Sequence, residues 1–170
     1  MSIATEQAEI VSEFSMFDDW MQRYEYMIEL GKSLPLIDQA YKTDDNIIKG
    51  CQSKVWVHAE LDDDKIVFTA DSDAIITKGI IAILIRAFSN QPPKEILAAE
   101  THFIDEIGLK EHLSPTRANG LVSMIKQLKM YALAYQTPLS ELWILKHLAK
   151  KLFVYSRRFS IPKFRLISTS

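Results

Sequence analysis

Residues 55–70 read VWVHAELDDDKIVFTA, a stretch in which apolar side chains alternate with polar or exposed ones. This period of two is typical of half-buried β-strands, and the acidic residues at 62–64 predict a turn between two of them. The apolar positions are Val55, Val57, Ala59 and Leu61 before the turn, and Ile66, Phe68 and Ala70 after it. The stretch therefore predicts an antiparallel hairpin, and we expect a further short strand at 46–49.

Two helices are expected before the hairpin. Thr5 is the candidate cap of the first, and the second begins at Asp18 or Asp19. The second helix carries aromatic and aliphatic residues at helical spacing, which indicates core packing rather than a ligand site. Gly31 is expected to end it, because glycine is common just past the last helical residue.

Apolar residues dominate positions 74–89, which predicts a central helix after the hairpin. Asp71, Ser72 and Asp73 are its candidate caps, with one of the two aspartates expected to serve. Gly79 lies inside this helix, where glycine is unfavourable, so we expect another backbone to pass close to it.

Two further helices are expected, over 93–98 after a pair of prolines and over 115–135 after the start pattern Ser114-Pro115. Together with the hairpin they indicate the α+β class. The expected architecture is a small antiparallel sheet of about three strands, covered by helices.

Charge divides the chain into two parts. Residues 137–170 contain seven Lys and Arg side chains and a single acidic one, Glu141, whereas residues 1–136 contain 13 basic and 21 acidic side chains. We therefore expect a globular domain at 1–136 and a basic extension at 137–170, with an amphipathic helix over 138–155. The acidic domain argues against nucleic acid as a partner and favours a basic protein surface.

The sequence favours a cytoplasmic location. It has no run of about 18 apolar residues, which a membrane-spanning helix would need. Its first residues have neither the basic nor the apolar region of a signal peptide, and a single unpaired cysteine suits a reducing compartment.

Cys51 is the single cysteine, and it follows Gly50 in a polar connection that leads into the hairpin. A core cysteine is normally embedded among apolar residues. A lone thiol forms no intrachain disulfide and makes a poor metal site without partners. The pattern leaves nucleophilic, sulfur-transfer or redox chemistry, or an inert thiol.

The positions of the histidines in the sequence do not distinguish among these kinds of chemistry. His58, His102, His112 and His147 show no metal-ligand spacing, so we expect no metal site. A cysteine-dependent hydrolase would need His102 or His112 folded against Cys51. A non-catalytic interaction module would need no thiol, and both alternatives stay open.

Arg117 lies in the first turn of the helix expected at 115–135, where a positive charge opposes the helix dipole. One interpretation is a solvated arginine beside a carboxylate. In the other, Arg117 and the helix N-terminus together favour an anionic sulfur, and both would lower the pKa of Cys51.

Four segments of the chain resemble the SufE/CsdE family, the sulfur acceptors of cysteine desulfurases. In order they are YEYMIELGKSL at 24–34, IKGCQSKVW at 48–56, ADSDA at 70–74 with Lys78-Gly79, and LSPTR at 113–117 with Gly120-Leu121. The resemblance covers residues 7–136 and ends before the basic extension.

This resemblance implies a function. A pyridoxal-phosphate-dependent desulfurase holds sulfur as a persulfide, which Cys51 would accept and pass to iron–sulfur cluster assembly. The chain would stimulate the desulfurase as a carrier rather than act as an enzyme, and it would need no cofactor. The implied partners are a desulfurase of the SufS or CsdA type and a scaffold complex of the SufBCD type. The implied fold is like that of SufE and IscU, as a monomer or weak homodimer.

The resemblance also suggests the residues of the site. Cys51 would be the persulfide acceptor, at a loop tip with its sulfur turned partly inward when no partner is bound. Gly50, Gln52, Asp73 and Arg117 would support the sulfur or contact the partner.

Overall fold

The computed structural model describes residues 1–136, which fold into helices around a two-stranded sheet. In chain order the elements are α1 (Ile3–Phe14), α2 (Trp20–Lys32), β1 (Val55–Asp62), β2 (Lys65–Ser72), α3 (Ile75–Phe88), α4 (Pro93–Ala98), α5 (Phe103–Glu106), α6 (Leu109–His112) and α7 (Pro115–Gln136). The expected α+β class is confirmed. The basic extension at 137–170 and the helix expected within it lie outside the described residues.

The sheet is the expected hairpin. β1 and β2 pair antiparallel along their whole lengths, beginning with Val55 opposite Ser72. Their buried side chains are Val55, Val57 and Ala59 on β1, and Ile66, Phe68 and Ala70 on β2. Leu61 was expected on this face but is 47% exposed, because the strands leave the core as they approach the turn.

The prediction of a third strand at 46–49 is wrong. Ile47 makes one isolated antiparallel bridge with Trp56, and a turn of 3₁₀ helix, Asp44–Asn46, precedes it. Asn46 donates from its side chain to the Tyr41 carbonyl at 2.7 Å. Such local side-chain bonds compete with a strand ladder, so this segment turns instead of extending the sheet.

Helix α3 lies at the centre of the core, with every residue from Ile80 to Phe88 buried except Arg86. It crosses α2 at Gly79, where an added Cβ would lie 2.5 Å from the Met27 carbonyl oxygen. The expected close backbone approach at Gly79 is therefore confirmed.

Gly31 does not end α2 as expected, because the helix continues to Lys32. An added Cβ at Gly31 would lie 3.1 Å from the Gly79 amide nitrogen. The absence of a side chain at Gly31, on α2, therefore allows the same close approach of α2 and α3 that Gly79 allows on α3.

The starts of the first two helices follow the local sequence in part. Asp19 caps α2 by accepting a bond from the Gln22 amide at 2.9 Å, as expected. Ser2, not Thr5, caps α1, and the Thr5 amide is its donor.

Neither aspartate expected to cap α3 does so. Ala74 occupies the cap position and has no side-chain oxygen to offer, while its own amide donates to the Ser72 hydroxyl at 3.3 Å. Asp71 pairs instead with Lys42 at 2.5 Å and Lys78 at 2.8 Å, while Asp73 bonds the chain beside Cys51. For Asp71, charged partners brought close by the tertiary fold outweigh the local capping bond. For Asp73, the backbone amide of Lys54 donates to the side-chain oxygen instead.

Helix α7 packs across the hairpin and the core. Its buried residues are Gly120, Leu121, Met124, Leu128 and Ala132. The Tyr131 and Tyr135 hydroxyls donate to the β1 carbonyls of Val57 and Ala59 at 3.0 and 2.7 Å. This fixes α7 along β1, with its first turns beside the segment that leads into the strand. Among residues 1–136, no helix is both long and apolar enough to cross a membrane.

Candidate functional site

Cys51 lies at the turn of a short loop, residues 49–53, which we call the cysteine loop. Gly50 precedes it with a φ of +92°, a conformation that other residues rarely adopt. An added Cβ at Gly50 would also lie 2.7 Å from the Ser123 hydroxyl oxygen on α7. Gly50 thus allows the loop both to turn and to lie against α7.

Hydrogen bonds hold the cysteine loop at both ends. Before it, the Ile48 amide donates to the Val55 carbonyl at 2.8 Å. After it, the Lys54 amide donates to the Asp73 side chain at 3.0 Å, and the Asp73 amide donates back to the Lys54 carbonyl at 3.2 Å. The Ser72 hydroxyl also donates to that carbonyl, at 2.9 Å. The loop is therefore a short segment between two fixed points.

The Cys51 sulfur is turned partly inward, and the side chain is half-buried. Its thiol donates a weak hydrogen bond to the Gly120 carbonyl, with 3.6 Å between sulfur and oxygen. Burial raises the pKa of the Cys51 thiol above its usual value, because desolvation disfavours the thiolate. A carbonyl acceptor acts in the same direction, since it bonds the protonated thiol alone.

The interpretation that Arg117 and the helix N-terminus lower the pKa of Cys51 does not hold for this loop position. The sulfur lies beside a carbonyl in the second turn of α7, not before the free amides of its first turn. The cost of desolvation therefore decides the direction of the shift.

A cavity of about 420 Å³ adjoins the Cys51 sulfur. Its walls come from the cysteine loop, the connection between β2 and α3, and the first turns of α7, and Ile80 and Met124 supply apolar surface. Besides Cys51, the ionisable side chains that residues 1–136 contribute to these walls are Asp73 and Arg117. The cavity offers space for an atom added to the sulfur, near one carboxylate and one guanidinium group.

The other residues suggested by sequence lie around the same place. Gln52 and Arg117 are exposed and line the cavity, Asp73 lines it and bonds the end of the loop, and Gly50 forms the turn before Cys51. The structure thus brings these positions together, and their roles stay predictions.

Two α7 residues contact the cysteine loop, Gly120 and Ser123. Sequence reasoning placed Gly120 in a segment that resembles the family but did not predict its contact with Cys51, and it missed Ser123. Gly120 offered one signal, a glycine in a helix interior, where it is unfavourable without a packing reason. Ser123 offered none, because a serine on a helix is common on any solvated surface.

The described histidines lie elsewhere. His58 stacks on Tyr41 and His112 stacks on Trp20, each with 3.7 Å between ring centroids, and His102 is exposed. Within residues 1–136, no histidine lines the cavity beside Cys51. The same part of the chain holds no group of three or more His, Cys, Asp or Glu side chains placed to bind a metal ion.

Comparison with known proteins places the chain in a family. Residues 8–132 match the model of the SufE domain, described as an Fe-S metabolism associated domain. An uncharacterized SufE-like protein of Rhizobium meliloti is 41% identical over 129 residues, which cover 73% of this chain and 92% of that protein. A chloroplastic/mitochondrial SufE-like protein 1 of Arabidopsis thaliana is 40% identical over 74% of this chain and 34% of its own length.

A solved structure supports the fold alone. The solution structure of a hypothetical protein from Thermus thermophilus superposes with a TM-score of 0.67 at 18% identity, over 78% of this chain and 97% of that one. The family match covers most of the chain and includes every residue of the Cys51 cavity. The chain therefore belongs to the SufE family, and its domain is one associated with iron–sulfur metabolism.

Proposed function

We propose that this chain is a sulfur carrier in iron–sulfur cluster assembly, with Cys51 as the persulfide acceptor. The observation that carries the proposal is the position of the single cysteine in a member of the SufE family. Its sulfur is half-buried beside a cavity, in a loop fixed at both ends. A persulfide benefits from such partial burial, because solvent thiols and oxidants destroy an exposed one.

The reaction is an exchange between a thiol and a persulfide. The Cys51 thiolate attacks the terminal sulfur of a persulfide held on the desulfurase. A new sulfur–sulfur bond forms on Cys51, the bond within the desulfurase persulfide breaks, and the desulfurase cysteine leaves as a thiolate. The Cys51 proton passes to solvent or to that thiolate, so the sulfur moves without net oxidation and without a cofactor on this chain. Delivery repeats the exchange with Cys51 as the leaving group.

The cysteine loop has to open for this exchange. The attacking thiolate must approach the desulfurase persulfide in line with the bond that breaks, and the position of the half-buried sulfur against Gly120 restricts that approach. The raised pKa of Cys51 keeps the closed thiol protonated and unreactive. Opening returns the sulfur to a more polar environment, where the thiolate forms more readily. The bonds at Ile48 and Lys54 mark the two points about which the loop moves.

The cavity residues fit supporting roles in this scheme. Arg117 favours an anionic sulfur or an anionic group of the partner at the cavity mouth. Asp73 holds the end of the loop in its closed position. Gly50 permits the turn, and the exposed Gln52 lies where an approaching partner makes contact.

The proposed partners follow from the same reaction. A desulfurase of the SufS or CsdA type supplies the sulfur, and a scaffold complex of the SufBCD type receives it. The excess of acidic side chains in residues 1–136 favours a basic surface on the desulfurase. A cytoplasmic location and a monomer or weak homodimer remain predictions.

The test is stimulation of a desulfurase. Wild-type protein should raise the rate at which a SufS-type enzyme releases alanine from cysteine, and Cys51→Ser should remove this effect while leaving the thermal melting unchanged. Serine preserves shape but cannot form a persulfide. Full stimulation by the folded serine variant would reject Cys51 as the acceptor. Stimulation that needs no thiol would instead identify an interaction module.

A further inference from the structure

Gly120 is buried in the second turn of α7 and faces the cysteine loop. The atoms outside the helix that lie nearest to a Cβ built on Gly120 belong to Cys51. The three nearest are the Cys51 sulfur at 3.4 Å, the Cys51 Cα at 3.8 Å and the Cys51 Cβ at 3.9 Å. A methyl group at this position would therefore just reach contact with the reactive cysteine, and a larger side chain would extend into the space that Cys51 occupies.

The other glycines described in residues 1–136 have explanations that do not apply to Gly120. The backbone at Gly120 does not have the positive φ of Gly50 and Gly108. Gly31 and Gly79 face backbone atoms of a neighbouring helix, whereas Gly120 faces a loop. Glycine weakens a helix interior, so its presence in α7 needs a compensating role. The contact with Cys51 is the one that the geometry offers.

We propose that Gly120 is a positioning residue that sets the balance between the closed and the open cysteine loop. In the closed loop the Cys51 sulfur lies against the bare Gly120 backbone and bonds its carbonyl. A side chain at position 120 occupies that space and moves the equilibrium toward the open loop. The size of the side chain grades the shift. A methyl group would touch the sulfur at 3.4 Å, an ordinary contact with little effect, whereas a branched side chain would extend into the space of Cys51.

This inference extends the proposed function, on which its consequence for sulfur transfer rests. If the desulfurase binds the open loop, its apparent affinity is reduced by the fraction of open molecules. A larger residue at position 120 then tightens desulfurase binding. It also leaves the persulfide of Cys51 more exposed between transfers. Glycine therefore favours retention of the sulfur at the expense of rapid acceptance.

The experiment is alkylation of Cys51 by iodoacetamide in the full-length chain, without any desulfurase, followed by intact mass across a range of pH. The single cysteine makes each added group assignable. Gly120→Val should react about tenfold faster than wild type near neutral pH, with a lower midpoint of the pH profile, since a fall of one pKa unit raises the thiolate fraction tenfold. Gly120→Ala should show a smaller increase, below about threefold, because its methyl group only touches the sulfur.

Asn119→Ala is the matched control. It replaces a residue of low helix propensity in the same turn of α7, where the side chain is exposed. A general effect of helix stabilisation would change both alanine variants alike, whereas a positioning role changes Gly120→Ala alone. The charged groups of the cavity, Asp73 and Arg117, are the same in all variants, so they do not account for a difference in midpoint.

Equal alkylation rates and midpoints in wild type and in both Gly120 variants would overturn the proposal, with thermal melting as the check on folding. Gly120→Ser, whose hydroxyl also extends beyond a methyl group, replaces the valine variant if that one does not fold. Alkylation and sulfur transfer are measured separately. Faster alkylation in the Gly120 variants would support the role of Gly120 even if wild-type Cys51 gained no persulfide on incubation with a desulfurase and cysteine. That second result would reject the sulfur-carrier function alone. The two claims therefore fail by different measurements.

Discussion

Asp71 on β2 pairs with Lys42, in the segment before the hairpin, and with Lys78 on the central helix α3. Burial alone would raise its pKa, but hydrogen bonds from Lys42 and Lys78 outweigh burial and lower the pKa to about 2. The unfolded carboxyl has a pKa near 3.9, so the folded protein holds the proton less tightly. This contribution to stability is complete above about pH 4 and is lost as the pH falls toward 2.

We therefore expect Asp71→Asn to lower the free energy of unfolding by about 2 kcal/mol at pH 7. The difference from wild type should shrink as the pH falls from 4 toward 2, because both proteins then carry a neutral side chain. Urea unfolding at several pH values measures it, with the exposed Asp64→Asn as a control of equal charge change. A difference that stays constant down to pH 2.5 would contradict the shifted pKa.

The sequence identified Cys51 as a residue of interest because it is unique and lies among polar neighbours. It did not identify the partners of Asp71 or the contact of Gly120, because those depend on residues far along the chain. The predicted caps at Asp71 and Asp73 failed for the same reason. A local rule assigns an aspartate to the nearest free amides, while the folded chain offers charged or distant partners.

Among the elements, the contact between α2 and α3 depends on glycine. An added methyl group at Gly79 would lie 2.5 Å from the Met27 carbonyl oxygen, too close for any contact between two such atoms. Gly79→Ala should therefore destabilise the fold by about 2–3 kcal/mol, as overpacking of a core does. The loss should appear as a lower denaturation midpoint.

Gly120→Ala is the comparison for this prediction, because the same substitution there meets a loop rather than a helix backbone. It should leave the midpoint unchanged or slightly raised, since alanine favours a helix. Equal stability of wild type and Gly79→Ala would show that α2 and α3 separate at little cost.

The hydrophobic period predicted β1, β2, α3 and α7, because each buries a regular face that repeats in the sequence. It failed for the segment at 46–49, where turn-forming residues precede too short an apolar pair to form a strand. The cavity at Cys51 was beyond sequence reasoning, since its walls come from three separate parts of the chain. The residues that line it were nonetheless close to the segments that resemble the family.

For the whole molecule, sulfur acceptance should not depend on the basic extension. The family match ends at residue 132, and every residue of the Cys51 cavity lies within it. We expect a chain ending at residue 136 to stimulate the desulfurase as the full chain does. Thermal melting of both proteins checks folding, and a truncated chain that folds but accepts no sulfur would assign the extension to the mechanism.

The central claim is that Cys51 carries the transferred sulfur, and intact mass spectrometry tests it most directly. The protein is incubated with a SufS-type desulfurase, cysteine and pyridoxal phosphate, then analysed with and without a thiol reductant. We predict a mass gain of one sulfur atom that maps to the peptide containing Cys51, disappears on reduction and is absent from Cys51→Ser. An unmodified Cys51 beside an active, persulfide-loaded desulfurase would contradict the account.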